Sequence, residues 1–169
     1  ETIEGERGDA TLFSVQHVEL DRPYYAAATV RFAKSLGERT LPGRVDFYLK
    51  DLSDDDEPLR HADVEHAVAG GLENDLDLII GGRDGSRPSG FHGLIDEVRL
   101  SGTALDVGQL LFTSESQSAQ TLGYWQFEVQ PGVYRDSGDR GHDIRQLAHD
   151  HIRNDDVDDA WVDYCHALL

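Results

Sequence analysis

The chain has 169 residues, a length that suits one ordinary domain with an appendage, and 38% of them are hydrophobic, too many for a disordered chain. Fifteen Lys and Arg stand against 33 Asp and Glu, so the net charge is −18; that field repels phosphate backbones and anionic membrane surfaces and argues against nucleic acid as a partner. No apolar run approaches the ~18–20 residues of a membrane span, so no membrane insertion is expected, and the lone Cys165 excludes an internal disulfide framework, a Cys-rich zinc site and a C-x-x-C-H haem motif.

No basic stretch followed by an apolar run opens the chain, so no signal peptide is visible. The chain starts on Glu1 instead of Met and stops on Leu168–Leu169, which reads as a piece cut from something longer. Residues 1–10 are a polar lead-in. Residues 11–20 (TLFSVQHVEL) are apolar and β-branched enough for a strand, ended by Asp21-Arg22-Pro23. A second strand follows, with Tyr24, Ala26, Ala28, Val30 and Phe32 on one face. SLGERTLPG reads as a loop. RVDFYLKDL alternates again, placing Val45, Phe47 and Leu49 opposite Asp46, Tyr48 and Lys50. SDDDEP is an acidic turn, and residues 59–69 (LRHADVEHAVA) fit a strand or a short helix equally well.

GGLEND reads as a turn, LDLIIGG as a strand and RDGSRPSG as a punctuating loop. Residues 90–102 (GFHGLIDEVRLSG) read as a strand with His92, Leu94, Asp96, Val98 and Leu100 on one face, so a carboxylate sits in the middle of an apolar row. ALDVGQLL predicts one or two helical turns with Leu105 and Leu110 facing inward. YWQFEV at 124–129 predicts a strand with Trp125, Phe127 and Val129 on one side, and a Gly-rich loop follows it. In the tail, Val157, Ala160, Trp161, Tyr164, Cys165 and Leu168 share one helical face, with Asp155 as N-cap; an amphipathic helix that needs a partner surface is expected. Short strands between Gly/Pro turns, without βα alternation, predict an all-β antiparallel sandwich over 11–145, with 146–169 as an acidic linker and C-terminal helix.

Phe91, Gly93, Ile95, Asp96, Glu97, Val98, Arg99 and Leu105 resemble the closing strand of laminin-G-like domains, an aromatic followed by Gly-x-Ile-Asp-Glu-Val-Arg and a helical turn. LDLIIGGRDG resembles the family's penultimate strand. Tyr124, Trp125, Phe127, Glu128, Asp136, Ser137, Gly138, Gly141 and His142 resemble the strand and Asp-Ser-Gly loop that normally open such a domain, displaced here to follow the closing strand. Either the domain is circularly permuted or a second copy begins and is abandoned; permutation keeps the two segments neighbours. DDAWVDYCHALL and FYLKDLSDDDEPL resemble the C-terminal region of large planctomycete-type proteins that fuse cytochrome-c-like domains to a laminin-G-like module. The resemblance implies a concanavalin A-like jelly roll inside a larger extracytoplasmic protein. It also implies a non-catalytic binding module, of the lectin class, that takes a glycan or docks a neighbouring domain.

Burying Asp96 alone would cost several kcal/mol, so on that apolar face it needs a partner. The resemblance implies a structural Ca²⁺ between the closing strand and the Asp-Ser-Gly loop. Asp96 and Asp136 would be its side-chain ligands, Asp139 a third, with carbonyls from Ser137 to His142. The alternatives are loop N–H groups clamped by Asp96, and an Arg such as Arg31 or Arg135. A strand that twists or bulges here would instead turn Asp96 to solvent.

The remaining constellations are weaker. Asp51 to Glu57 lacks EF-hand spacing and reads as a solvated acidic turn. His61/His66 and His149/His151 lack metalloprotease spacing. Glu73, Asp75 and Asp77 approach the E-x-D-x-E of glucanases on this fold but end on the shorter Asp, so glycoside hydrolysis stands as the alternative function. No G-x-S-x-G elbow and no phosphate loop is present. Trp125, Tyr24, Tyr25 and Tyr48 are candidates for stacking on sugar rings, or simply members of the sheet core.

Overall fold

A computed structural model of the chain describes residues 2–4, 10–69, 78–82, 91–110, 119–128, 133–138 and 140–145. The chain divides into two compact units, Glu1–Leu78 with Cys165–Leu169, and Ile79–Tyr164. All sheets among the described residues are antiparallel and have two or three strands, and no α-helix occurs there. Among those residues no helix is long and apolar enough to cross a membrane.

The first unit carries β1 (Thr2–Glu4), β2 (Ala10–Leu12), β3 (Tyr24–Arg31), β4 (Lys34–Leu36), β5 (Arg39–Leu41), β6 (Gly43–Asp51) and β7 (Arg60–His66). β2 pairs with β1 and stops at Leu12, far short of the strand expected to residue 20. Two residues on, the Gln16 N–H donates to Ser14 Oγ at 3.1 Å, a local bond that draws the backbone out of a ladder. β6 is the centre of a three-stranded sheet, flanked by β3 and β7. Register settles the ambiguous 59–69 segment as strand: Val45 opposes Val30 and Val64, and Phe47 opposes Ala28 and Ala62. One face of this sheet is the apolar core, where Val45 and Phe47 pack with Leu12, Ala28, Val30 and Val64. Burying each large apolar side chain there stabilises the unit by about 1.5–3 kcal/mol.

The segment SLGERTLPG, expected as a loop, contains most of a hairpin: β4 pairs with β5 across a two-residue turn, with Gly37 at φ 64° in the left-handed region. The ends of β3 and β7 meet where β6 begins. A Cβ on Gly43 would lie 2.3 Å from His66 Cε1 and 2.7 Å from both Ala33 N and Arg31 O, so only glycine fits.

The second unit carries β8 (Val98–Ser101), a 3-10 turn (Val107–Gln109), β9 (Thr121–Trp125), β10 (Val133–Tyr134) and β11 (Ile144–Arg145). β8 pairs with β9, Val98 opposite Trp125 and Leu100 opposite Gly123, and β10 pairs with β11. The long strand expected over 90–102 is therefore only its last third. Glu97, at φ 50°, breaks the extended backbone immediately before Val98, so the alternation does not run through Asp96. β9 likewise starts at Thr121 and ends at Trp125, and Phe127 at φ 54° turns the chain out of the strand. Of the predicted helical turns, the 3-10 turn forms, Leu110 is buried and Leu105 half-buried. The start of LDLIIGG and the amphipathic helix with Asp155 and Trp161 lie outside the described residues.

Candidate functional site

The sheet of the first unit has a second face, and it is polar. Alternation puts Thr29 and Arg31 of β3, Arg44, Asp46 and Tyr48 of β6, and His61, Asp63 and Glu65 of β7 on this side. Asp46 lies at its centre, its side chain only 7% exposed. Arg31 Nη1 donates to Asp46 Oδ2 at 2.7 Å, and Arg44 Nε donates to Oδ1 at 2.8 Å. His61 Nε2 lies 3.0 Å from Oδ1, and Arg44 Nη2 reaches Asp63 Oδ1 at 3.4 Å. Burial pushes the Asp46 carboxyl up, but hydrogen bonds from His61 and Arg44 and the two guanidinium charges outweigh it and hold it below the ordinary carboxylate range.

The same register lays His61 over Tyr48, ring centroids 5.0 Å apart and planes 25° from parallel. Tyr48 is buried beneath it, whereas the His61 side chain is 41% exposed. Of the aromatic residues considered for sugar stacking, Tyr48 and Trp125 are therefore buried and Tyr24 and Tyr25 half-buried. The outward ring on this face is His61, a residue the sequence marked only as one of a close His pair. Its signal was the alternation that set Asp46 and Tyr48 opposite Val45, Phe47 and Leu49; the register with β7 was missing.

At the far end of β6 the acidic turn is less solvated than its composition implies. Asp51 is fully buried, accepting from Ser53 N at 2.8 Å, Ser53 Oγ at 2.5 Å and Arg22 Nη1 at 3.0 Å. The Ser53 hydroxyl and amide, then Arg22, lower its pKa to about 2. Asp54, Asp55 and Asp56 are exposed, as expected.

In the second unit, Asp136, Ser137 and His142 do come together. The Asp136 side chain is 0% exposed. Its Oδ1 accepts from Tyr124 N at 2.9 Å and Gly138 N at 2.8 Å, and Oδ2 accepts from His142 N at 3.0 Å. Burial raises its pKa, and the three amides more than offset that, so it lies below the ordinary range. A Cβ on Gly138 would stand 2.9 Å from Oδ1, so glycine permits this approach. Ser137 N donates to Tyr124 O at 2.7 Å and Ser137 Oγ to Gln126 Oε1 at 3.0 Å. Trp125 Nε1 donates to His142 O, and His142 Nδ1 to Leu122 O, both at 2.7 Å.

Of the alternatives open for Asp96, the structure has the last: it is exposed, in the irregular segment before β8, because the Glu97 kink removes it from the strand face. The amide-clamp role considered for Asp96 is performed by Asp136. Asp139, the proposed third ligand, and Glu73, Asp75 and Asp77, the acids of the hydrolase alternative, lie outside the described residues. Among the described residues no three His, Cys, Asp or Glu side chains converge as a metal-ligand group. Compared with protein-family models, curated proteins and solved structures, the chain matches none.

Proposed function

We propose that this chain is a non-catalytic binding module of the laminin-G and lectin class, a circularly permuted concanavalin A-like sandwich working within a larger extracytoplasmic protein. The pairing of β8 with β9 supports permutation, since it joins the closing-strand motif to the displaced opening-strand motif. Fold-level likeness carries no ligand by itself, so the binding reading rests on the polar sheet face. Its ligand is a glycan. The observation that carries this is the half-exposed His61 ring backed by Tyr48, a flat platform for the C–H face of a sugar ring. Arg44 and Asp63 stand beside it as hydroxyl partners.

The test is calorimetric titration of a panel of soluble glycans into the wild-type chain and His61→Ala. At least one glycan should bind, and the variant should weaken it tenfold or more, about 1.4 kcal/mol. If no glycan binds the wild type, the glycan reading falls. Turnover of any glycan, lost in Glu73→Gln and Asp77→Asn, would establish the hydrolase alternative instead.

A further inference from the structure

We infer that the Asp-Ser-Gly loop is held by its own carboxylate, Asp136, and needs no calcium ion. The laminin-G resemblance implies a cation here, and the residues present do not fit one. A Ca²⁺ site requires six to eight oxygens turned inward at about 2.3–2.6 Å. This loop instead turns N–H groups inward: the amides of Tyr124, Gly138 and His142 converge on one carboxylate at 2.8–3.0 Å. Converging amide hydrogens form a nest for negative charge, the wrong sign for a cation, and Asp136 fills it.

Of the oxygens that would serve as ligands, the His142 carbonyl and the Ser137 hydroxyl already take part in hydrogen bonds within the loop and to β9, as do the neighbouring β9 carbonyls. Leu122 O takes His142 Nδ1–H, Tyr124 O takes Ser137 N–H, and His142 O takes Trp125 Nε1–H. The Ser137 hydroxyl donates to Gln126. Asp143 Oδ1 accepts the Asp136 N–H at 3.1 Å, so the clamp is itself positioned by a second acid. Asp96 is exposed and outside this network. The loop is thereby tied to β9 by the same kind of bond that a paired strand would supply.

The experiment is thermal unfolding of the full chain in EDTA and in millimolar Ca²⁺, for wild type, Asp136→Asn and Asp96→Ala. A ligand bound only by the folded state must raise the melting temperature. The expected result is no difference between the two media for any variant. Asp136→Asn should melt roughly 4–8 °C lower in both, because an amide nitrogen then faces one of the three N–H donors, and Asp96→Ala should match the wild type.

A rise with Ca²⁺ in the wild type that disappears in Asp136→Asn overturns the inference. So does an Asp136→Asn that melts like the wild type, since the clamp would then hold nothing. Should Asp136→Asn fail to fold, calorimetric titration of the wild type decides. One-site binding of Ca²⁺ overturns the inference, and its absence together with indifference to EDTA supports it.

Discussion

Arg31 and Arg44 stand directly opposite one another on neighbouring strands, and a single carboxylate, Asp46, holds both. Like charges opposed across a sheet are destabilising. Asp46 and Asp63 repeat the problem one pair along with the opposite sign, and Arg44 bridges them. The four charges form an alternating patch in which each repulsion is cancelled by a diagonal neighbour. Both arginines of this face are thereby paired with carboxylates of the same face.

Asp46→Ala should therefore cost about 1–3 kcal/mol, because it leaves two guanidiniums facing each other as well as removing their acceptor. Adding Arg44→Ala should return part of that loss, giving a double-mutant coupling of about 1 kcal/mol. Urea unfolding of the single and double variants measures it. The guanidiniums are half-exposed, so the Asp46→Ala penalty should also shrink as salt rises. Strict additivity with no salt dependence would show that the patch is not coupled in this way.

Gly43→Ala should destabilise the first unit by about 1–3 kcal/mol, an overpacking cost. Two of the three obstacles to a Cβ there are backbone atoms, Ala33 N and Arg31 O, which no side-chain rotation can move. The third is the His66 ring. Gly43→Ala combined with His66→Ala should consequently recover only a fraction of the loss, and full recovery would place the constraint in the ring alone.

β3 and β6 were legible in the sequence because Tyr24 to Phe32 and Val45 to Leu49 keep a two-residue period with one clean apolar side. β7 was ambiguous because its outward positions, His61, Asp63 and Glu65, interleave with an apolar set too short to mark a period. The β4–β5 segment reads as loop because its strand positions are all exposed and carry no apolar alternation, and only Gly37 marks the turn. The 90–102 alternation misled for a different reason. One left-handed residue, Glu97, ends the period where sequence alone continues it, and Asp96 was carried with it onto a face it does not occupy. The site divides the same way. Asp136, Ser137 and His142 lie within seven positions and share a loop motif, so the sequence alone groups them. Arg31 and His61 each lie 15 positions from Asp46 and meet it only through strand register, which no local pattern encodes.

The buried carboxylates make acid stability testable with a definite sign. Asp51 titrates at about 2 in the folded chain, below the ordinary carboxylate value near 4. A depressed folded value means that the group stabilises the fold fully above the unfolded value and that this contribution is lost as pH falls through the folded one. Asp46 is shifted in the same direction, so its contribution has the same sign. The melting temperature of the wild type should therefore receive a constant contribution from Asp51 between pH 5 and 7, and lose it between about pH 4 and 2. Protonation of the many exposed acids also changes the melting curve there, so the comparison that isolates Asp51 is with Asp51→Asn. That variant should melt below the wild type at neutral pH, since its amide faces Arg22, and the gap should close as pH approaches 2. A gap that stays constant from pH 7 to pH 2 would mean that the Asp51 charge, and with it the tie between Arg22 and Ser53 at the end of β6, does not contribute to stability.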